Sequence, residues 1–105
     1  MRSIVNVPKT ARAGEVIEIK TMIAHPMETG YRTGTNGATI PRNIISRFVC
    51  IYDGEEVFSA ELFPAIAANP LIAFTTVAVQ TGTLTFAWTD DSGVTETTTA
   101  EITVI

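Results

Sequence analysis

Histidine and cysteine each occur once in this chain, at His25 and Cys50, and they are the first candidates for chemistry. A single cysteine excludes a disulfide within the chain, and a single histidine excludes the histidine clusters of the usual zinc and copper sites. Cys50 shares one side of a predicted strand with Phe48 and Tyr52, which predicts a buried, inert thiol. The alternative is a sulfur-carrying or partner-linked thiol, which would need an accessible thiolate.

His25 stands at the end of a predicted strand, with Met22 and Met27 nearby. One histidine with two thioethers is a conceivable soft site for copper(I), but methionine beside a strand usually serves packing. A catalytic base needs a nucleophile, and the sequence offers neither a Gly-x-Ser-x-Gly elbow nor a cysteine next to His25. We therefore expect its ring nitrogens to tie down a loop, with Glu28, Arg32 or the backbone as partner.

His25 opens the longest segment without a strand pattern, which runs from Ala24 to about Pro41. An ordinary sandwich turn takes about two to five residues, and a long, specific loop on a plain scaffold is where binding residues concentrate. Glu28 and Arg32 are opposite charges four residues apart that could pair or could stay solvated. Tyr31 and Arg32 are residue types that dominate protein interfaces, which favours an interface role for this loop.

The strand predicted after the loop, Ile44–Tyr52, is apolar on both faces. Ile45, Val49 and Ile51 share one face with Arg47. Because a small two-layer sandwich covers only one face of a strand, this pattern predicts association with another protein. Arg47 beside an apolar patch suits the carboxylates of a partner or an anionic ligand, and simple solvation is the alternative.

Seven stretches with strand patterns must position these residues, and no stretch has a convincing helical pattern. They are Ser3–Val7, Glu15–Ala24, Ile44–Tyr52, Glu56–Leu62, Ile72–Val79, Thr83–Thr89 and Val94–Val104. Their spacing predicts an all-β, immunoglobulin-like β-sandwich of about seven antiparallel strands, in a single domain over residues 1–105. The residues from Lys9 to Gly14 are predicted as a polar turn. Since paired cysteines are absent, the core is expected from Phe48, Tyr52, Phe74, Phe86 and Trp88.

Charge and hydropathy exclude several classes of protein. The net charge is −4, from 7 basic and 11 acidic residues, and no basic cluster provides the electrostatic footprint of a nucleic-acid binder. No apolar run approaches the roughly 18 residues of a transmembrane helix, so no membrane contact is expected. The N-terminus, Met1–Pro8, has neither the apolar segment nor the cleavage site of a signal peptide. Taken alone, this predicts a cytoplasmic protein, unless processing removed a leader or a partner exports the chain.

The run His-Pro-Met-Glu-Thr-Gly-Tyr-Arg at His25–Arg32 resembles the signature of the SoxZ family, the small subunit of the SoxYZ carrier in bacterial sulfur oxidation. Further matches follow in the order of that family, at Ile40-Pro41, Phe48–Gly54, Phe63-Pro64-Ala65, Asn69-Pro70 and Phe86-Ala87-Trp88. The resemblance extends over nearly the whole chain from Glu15 onward.

This resemblance implies an immunoglobulin-like sandwich that pairs with SoxY, whose C-terminal cysteine carries the intermediates of thiosulfate oxidation on a flexible, glycine-rich arm. It implies a non-catalytic subunit without cofactor or metal, which helps to present SoxY to the other Sox enzymes through transient contacts. It also implies export to the periplasm on the twin-arginine signal of the partner. The chain ends at Glu101–Ile105 in a strand pattern without such an arm, as expected of SoxZ. Cys50 is not a motif position of the family, so no carrier role is assigned to it.

The predicted partner-binding residues join the loop to the strand that follows it. They are His25, Met27, Glu28, Tyr31, Arg32, Ile45, Arg47, Val49 and Ile51. Two alternatives remain: a stand-alone thiol carrier or small enzyme that uses Cys50, and a generic periplasmic immunoglobulin-like binding module. The first requires rapid modification of the folded protein's thiol, and the specific loop run and missing leader speak against the second.

Overall fold

The computed structural model describes every residue from Met1 to Ile105 and contains eight β-strands and no helix. The strands are β1 (Arg2–Asn6), β2 (Thr10–Ala11), β3 (Val16–Ala24), β4 (Ile45–Tyr52), β5 (Glu55–Glu61), β6 (Leu71–Val77), β7 (Gly82–Asp90) and β8 (Thr95–Val104). All seven predicted strands are present, with ends that differ by one or two residues. The structure thus contains no helix that could cross a membrane.

Two sheets pack face to face to form the sandwich. The three-stranded sheet has the order β1-β3-β6, and the five-stranded sheet has the order β2-β8-β7-β4-β5. Every neighbouring pair is antiparallel except β2 and β8, which run in parallel. The predicted all-β, immunoglobulin-like sandwich is confirmed.

Strand β3 shows why the sequence folds in this way. Ile17, Ile19, Thr21 and Ile23 point into the core, and the residues between them are exposed. Successive side chains of a strand alternate between the two faces of a sheet, so this period of two places one apolar face inward. The five-residue pairing with β1 and the seven-residue pairing with β6 keep an unbroken register, which makes β3 the centre of its sheet.

Aromatic side chains fill the space between the sheets, as predicted. Phe48, Tyr52, Phe74, Phe86 and Trp88 are all less than 9% exposed. The rings of Phe48 and Trp88 lie 5.2 Å apart, and Phe58 stacks on Phe74 at 4.4 Å, which joins β5 to β6 along one side of the sandwich. Burying each such side chain contributes roughly 1.5–3 kcal/mol relative to leaving it in water.

Strand β2 is a departure from the predicted polar turn at Lys9–Gly14. Thr10 and Ala11 pair in parallel with Thr103 and Val104, and Ala11 is buried. Two residues are too few to show a period in sequence, because such a strand is selected by its tertiary partner and not by its own pattern. The sandwich therefore has eight strands and one parallel pair in place of seven antiparallel strands.

The start of β4 is a second departure. The register against β7 shifts between Ile45 and Arg47, so that Ile45 lies opposite Asp90 and Arg47 opposite Thr89. Such a bulge adds one residue to a strand and turns the preceding side chains to the other face. Ile45 is therefore 0% exposed and belongs to the core, and its placement on the outer face with Val49 was wrong.

Candidate partner-binding site

The long loop between β3 and β4 folds into an irregular hairpin, which we call the arm (residues 28–43). Bridges between Glu28 and Asn43 and between Thr33 and Thr39 pair its two sides. The Glu28 N–H donates to the Asn43 carbonyl at 2.9 Å, and the Asn43 N–H donates back at 2.8 Å. The molecule measures 58 × 19 × 18 Å, whereas a ten-residue strand spans only about 33 Å, so the loops at the ends of the sandwich extend it.

His25 fastens the root of the arm from inside the protein. It is 3% exposed, and its Nδ1 accepts a hydrogen bond from the Met27 N–H at 2.9 Å. Its Nε2 lies 3.4 Å from Asp90 Oδ2. Because Nδ1 is an acceptor, the neutral ring carries its proton on Nε2, where the proton faces Asp90. The predicted tie is confirmed for the backbone, but the side-chain partner is Asp90 and not Glu28 or Arg32.

Met27 is the second buried residue at the base of the arm. It is 4% exposed and has a φ of 52°, in the left-handed region that residues other than glycine rarely adopt. Its sulfur lies 3.2 Å from the Ile45 N–H, which donates to it. His25 and Met27 therefore support the arm from below and do not present side chains to a partner.

Asp90, at the end of β7, is held as a carboxylate beside His25. Its Oδ1 accepts hydrogen bonds from the Ser92 N–H at 3.0 Å, the Ser92 hydroxyl at 2.6 Å and the Val94 N–H at 3.1 Å. Burial alone would raise the pKa of Asp90, but the hydrogen bonds from Ser92 and Val94 and the contact with His25 outweigh it, so the pKa lies below its ordinary value.

Two further contacts fasten the base of the arm to neighbouring loops. Arg42 donates two hydrogen bonds to Asp91, from Nε to Oδ2 at 2.8 Å and from Nη2 to Oδ1 at 3.1 Å. On the other side, the His25 N–H donates to Asn69 Oδ1 at 3.0 Å, and the Asn69 N–H donates to the His25 carbonyl at 2.8 Å. The roles of Asp90, Asp91 and Asn69 were not predicted, because in the sequence they are ordinary turn residues and only the fold brings their three loops together.

The part of the arm above this base is exposed. Tyr31 is 82% exposed, and Arg32 Nη2 donates to Glu28 Oε1 at 2.5 Å. That hydrogen bond lowers the pKa of Glu28 and raises the pKa of Arg32, so both stay charged. Gly30 has a φ of 88°, and a Cβ there would lie 3.0 Å from the Cβ of Arg42, so a side chain would push the two sides of the arm apart.

The outer face of β4 is a smaller apolar patch than the sequence predicted. Val49 is half-buried, Ile51 is 37% exposed, and Arg47 lies with its Nη2 3.7 Å from Glu56 Oε1. Ala87 faces Val49 from the neighbouring strand β7. Since Ile45 is in the core, only two apolar side chains remain on this face of β4.

Cys50 is buried, as predicted. It is 0% exposed, and burial raises the pKa of its thiol to about 12, which leaves almost no thiolate at neutral pH. No group of three or more histidine, cysteine or acidic side chains that could hold a metal ion occurs in the structure.

Fold and site together define the class of protein: an immunoglobulin-like β-sandwich with an inert internal thiol and a firmly rooted, exposed arm of interface-type residues. Residues 4–101 match the family described as sulphur oxidation protein SoxZ. The chain belongs to the SoxZ family, as the resemblance at His25–Arg32 indicated.

Solved structures with the same fold include proteins of different activity. A superoxide reductase (neelaredoxin) from Ignicoccus hospitalis aligns with a TM-score of 0.79 and 15% identity, over 100% of this chain and 81% of its own. The sulfur carrier protein SoxY from Chlorobium limicola f thiosulfatophilum aligns with a TM-score of 0.68 and 13% identity, over 98% of this chain and 78% of its own. At such identities the likeness shows the fold alone. No curated protein matches the chain by sequence.

Proposed function

We propose that this chain is the non-catalytic subunit of a SoxYZ carrier complex in bacterial thiosulfate or sulfur oxidation. It pairs with a SoxY-type subunit, whose C-terminal cysteine carries the sulfur intermediates, and helps to present that cysteine to the Sox enzymes. The observation that carries the proposal is the match of residues 4–101 to the SoxZ family.

The burial of the Cys50 thiol supports the proposal that this chain does not itself carry the sulfur. A carrier thiol must reach the active sites of other proteins and react as a thiolate. Cys50 is enclosed between the sheets, and its raised pKa keeps it protonated. The reactive sulfur therefore has to be supplied by the partner.

The arrangement of His25 also supports a non-catalytic role. Its Nδ1 is occupied by the Met27 N–H, and its Nε2 faces Asp90 in the interior. A general base must lie within hydrogen-bond reach of a substrate, and neither ring nitrogen of His25 is open to one. The His25–Asp90 pair holds the arm in place.

The partial or full exposure of six of the predicted residues supports contact with a partner: Glu28, Tyr31, Arg32, Arg47, Val49 and Ile51. We propose them as contacts of the SoxY-type subunit, with His25 and Met27 as the support that orients the arm. The enzymes that visit the complex make transient contacts only. The complex works in the periplasm, which this subunit reaches by co-export with its partner.

Arginine substitution of Val49 and Ile51 together tests the contact on β4. Each substitution removes an apolar contact and buries an unpaired charge against the partner. We therefore expect affinity for the SoxY-type subunit to fall at least about tenfold. Titration calorimetry with the purified partner measures the change. Thr10→Arg is the matched control, because Thr10 is exposed on β2, at the opposite edge of the same sheet.

The two possible failures of this experiment have separate meanings. If the wild-type chain itself does not bind the SoxY-type subunit, the proposed function is wrong. If the wild type binds and the Val49/Ile51 variant binds equally well, β4 is not part of the interface and the proposed function stands.

A further inference from the structure

The sandwich has four edge strands, and three of them are guarded. Strand β2 has only two residues, and β1 is five residues long and begins with a charged residue, Arg2. Strand β5 carries glutamates at both ends, at Glu55, Glu56 and Glu61. Short length, cover and charge are the usual ways in which proteins prevent an edge strand from pairing with another chain.

Strand β6 has none of these protections. Its seven residues, Leu-Ile-Ala-Phe-Thr-Thr-Val, contain no charge and no proline. It pairs with β3 alone, through seven consecutive residues without a bulge. A regular, uncharged edge strand of this length is a template for another β-strand, and a protein that leaves it open in isolation would aggregate through it.

The backbone of β6 is aligned to accept such a strand. Ile23 donates to the Pro70 carbonyl at 3.3 Å and Ala78 donates to the Glu15 carbonyl at 2.8 Å, at the two ends of the paired stretch. In an antiparallel pair, hydrogen-bonded residues alternate with residues whose N–H and C=O point the other way. The groups of Leu71, Ala73, Thr75 and Val77 therefore point away from β3, toward the open edge.

A row of three large apolar side chains crosses the outer face of the three-stranded sheet and ends at this edge. Ile4, Met22 and Leu71 lie directly opposite one another on β1, β3 and β6. They are 63%, 39% and 68% exposed, which is unusual for three large apolar side chains in one line. A strand added beside β6 would bring its own side chains next to Leu71 and extend this row.

We propose that the open edge of β6 also binds the SoxY-type carrier subunit, which adds one of its own edge strands antiparallel to β6. This inference rests on the proposed function and adds a second contact surface to the arm and the β4 patch. It lies on the three-stranded sheet, so it is separate from the patch on β4 in the five-stranded sheet.

The fold of SoxY supports this occupant. The Chlorobium SoxY aligns over 98% of this chain, so a protein of that kind has an equivalent three-stranded sheet that ends in an edge strand. Two such edges joined antiparallel about a pseudo-twofold axis make one continuous six-stranded sheet across both subunits. The backbone hydrogen bonds give affinity, and the apolar row gives side-chain contact beyond the edge.

Thr75→Pro is the sharpest test, because it removes a single N–H that the isolated chain does not use. Proline is tolerated on the solvent side of an edge strand, but it cannot donate to an added strand. We expect the affinity for the SoxY-type subunit, measured by titration calorimetry, to fall at least about tenfold. Thr75→Val keeps the N–H and is expected to bind like the wild type.

A second variant tests the same edge without proline, which could itself disturb folding. Thr75→Lys places a charge on the open edge, as natural edge strands do, and is expected to weaken binding by a similar factor. Thr97→Lys makes the same change on exposed β8 and is expected to leave binding unchanged. Thermal unfolding of every variant shows whether the sandwich is intact.

Three results would overturn the assignment. Equal affinity of wild type, Thr75→Pro and Thr75→Lys would place the interface elsewhere while leaving the proposed function intact. A wild-type chain that binds no SoxY-type subunit would remove the proposed function as well. A stable dimer of this chain alone, dissociated by Thr75→Lys and indifferent to SoxY, would show that the strand beside β6 comes from a second copy.

Discussion

His25 begins the run that resembles the SoxZ signature, and its ring lies inside the protein. The ring is bound at Nδ1 by the Met27 N–H and faces Asp90 at Nε2. The run thus contains two kinds of residue: His25 and Met27 are buried, and Tyr31 and Arg32 are exposed. The sequence showed that the segment was specific, but only the fold separates the two roles.

Cys50 is expected to resist modification in the folded chain. A thiol with a pKa of about 12 between two sheets has neither the thiolate nor the access that the reaction needs. We expect a thiol-specific reagent at pH 8 to label Cys50 only after unfolding in guanidinium. Labelling of the native protein as fast as a free cysteine would favour the alternative in which this chain is itself a carrier.

The lowered pKa of Asp90 predicts how the free energy of unfolding depends on pH. Its folded-state pKa is lowered, so its carboxylate contributes stability at pH values above the unfolded value of about 3.9, and this stability is lost as the pH falls through the folded-state pKa. We expect the free energy of unfolding in urea to fall more steeply below about pH 4 in the wild type than in Asp90→Asn. Parallel pH profiles of the two proteins would contradict this role of Asp90.

At the scale of elements, the arm is a hairpin whose base is fixed to the β7–β8 turn through Asp91 and to the β5–β6 loop through Asn69. The sequence predicted this segment and its exposed residues, because its length and its glycines are local signals. It did not show the hairpin or the anchors, because these depend on side chains from three separate loops.

The strands show the same division. The strict alternation of β3 gave its buried face correctly, since a period of two needs no tertiary information. The bulge at Ile45 and the pairing of Thr10 with Thr103 could not be predicted, because each depends on the neighbouring strand. The error at Ile45 made the apolar patch on β4 look larger than it is.

Tyr31→Ala tests whether the exposed part of the arm binds the partner. Tyr31 contributes little inside the protein because it is 82% exposed, so we expect the thermal unfolding midpoint to be unchanged. If Tyr31 is an anchor of the interface, affinity for the SoxY-type subunit falls at least about tenfold in titration calorimetry.

The tip of the arm provides the control for this experiment. Residues 33–39 can be replaced by Asn-Gly, because the Ile40 N–H already donates to the Arg32 carbonyl at 2.8 Å across the gap. This shorter arm keeps Glu28, Tyr31 and Arg32 and is expected to bind normally. Normal binding by Tyr31→Ala, or loss of binding on removal of the tip alone, would contradict the assignment.

At the scale of the whole molecule, the sandwich closes its core between the sheets and leaves other apolar groups uncovered. The Ile4–Met22–Leu71 row, the edge of β6 and Tyr31 are exposed on a chain of 105 residues. A partner that covers them accounts for features that cost stability and solubility in an isolated protein. Under the proposed pairing with a SoxY-type subunit, these features form one side of a complex.

The mass of the assembly tests the central claim most directly. The chain, of 11.3 kDa, is co-expressed with the SoxY-type subunit of the same organism and captured through a tag on that subunit, and native mass spectrometry gives the composition. We expect equal numbers of the two subunits, with the sulfur-carrying cysteine on SoxY as the reactive thiol of the complex. A tagged SoxY-type subunit recovered alone, with this chain free as a monomer, would contradict the account.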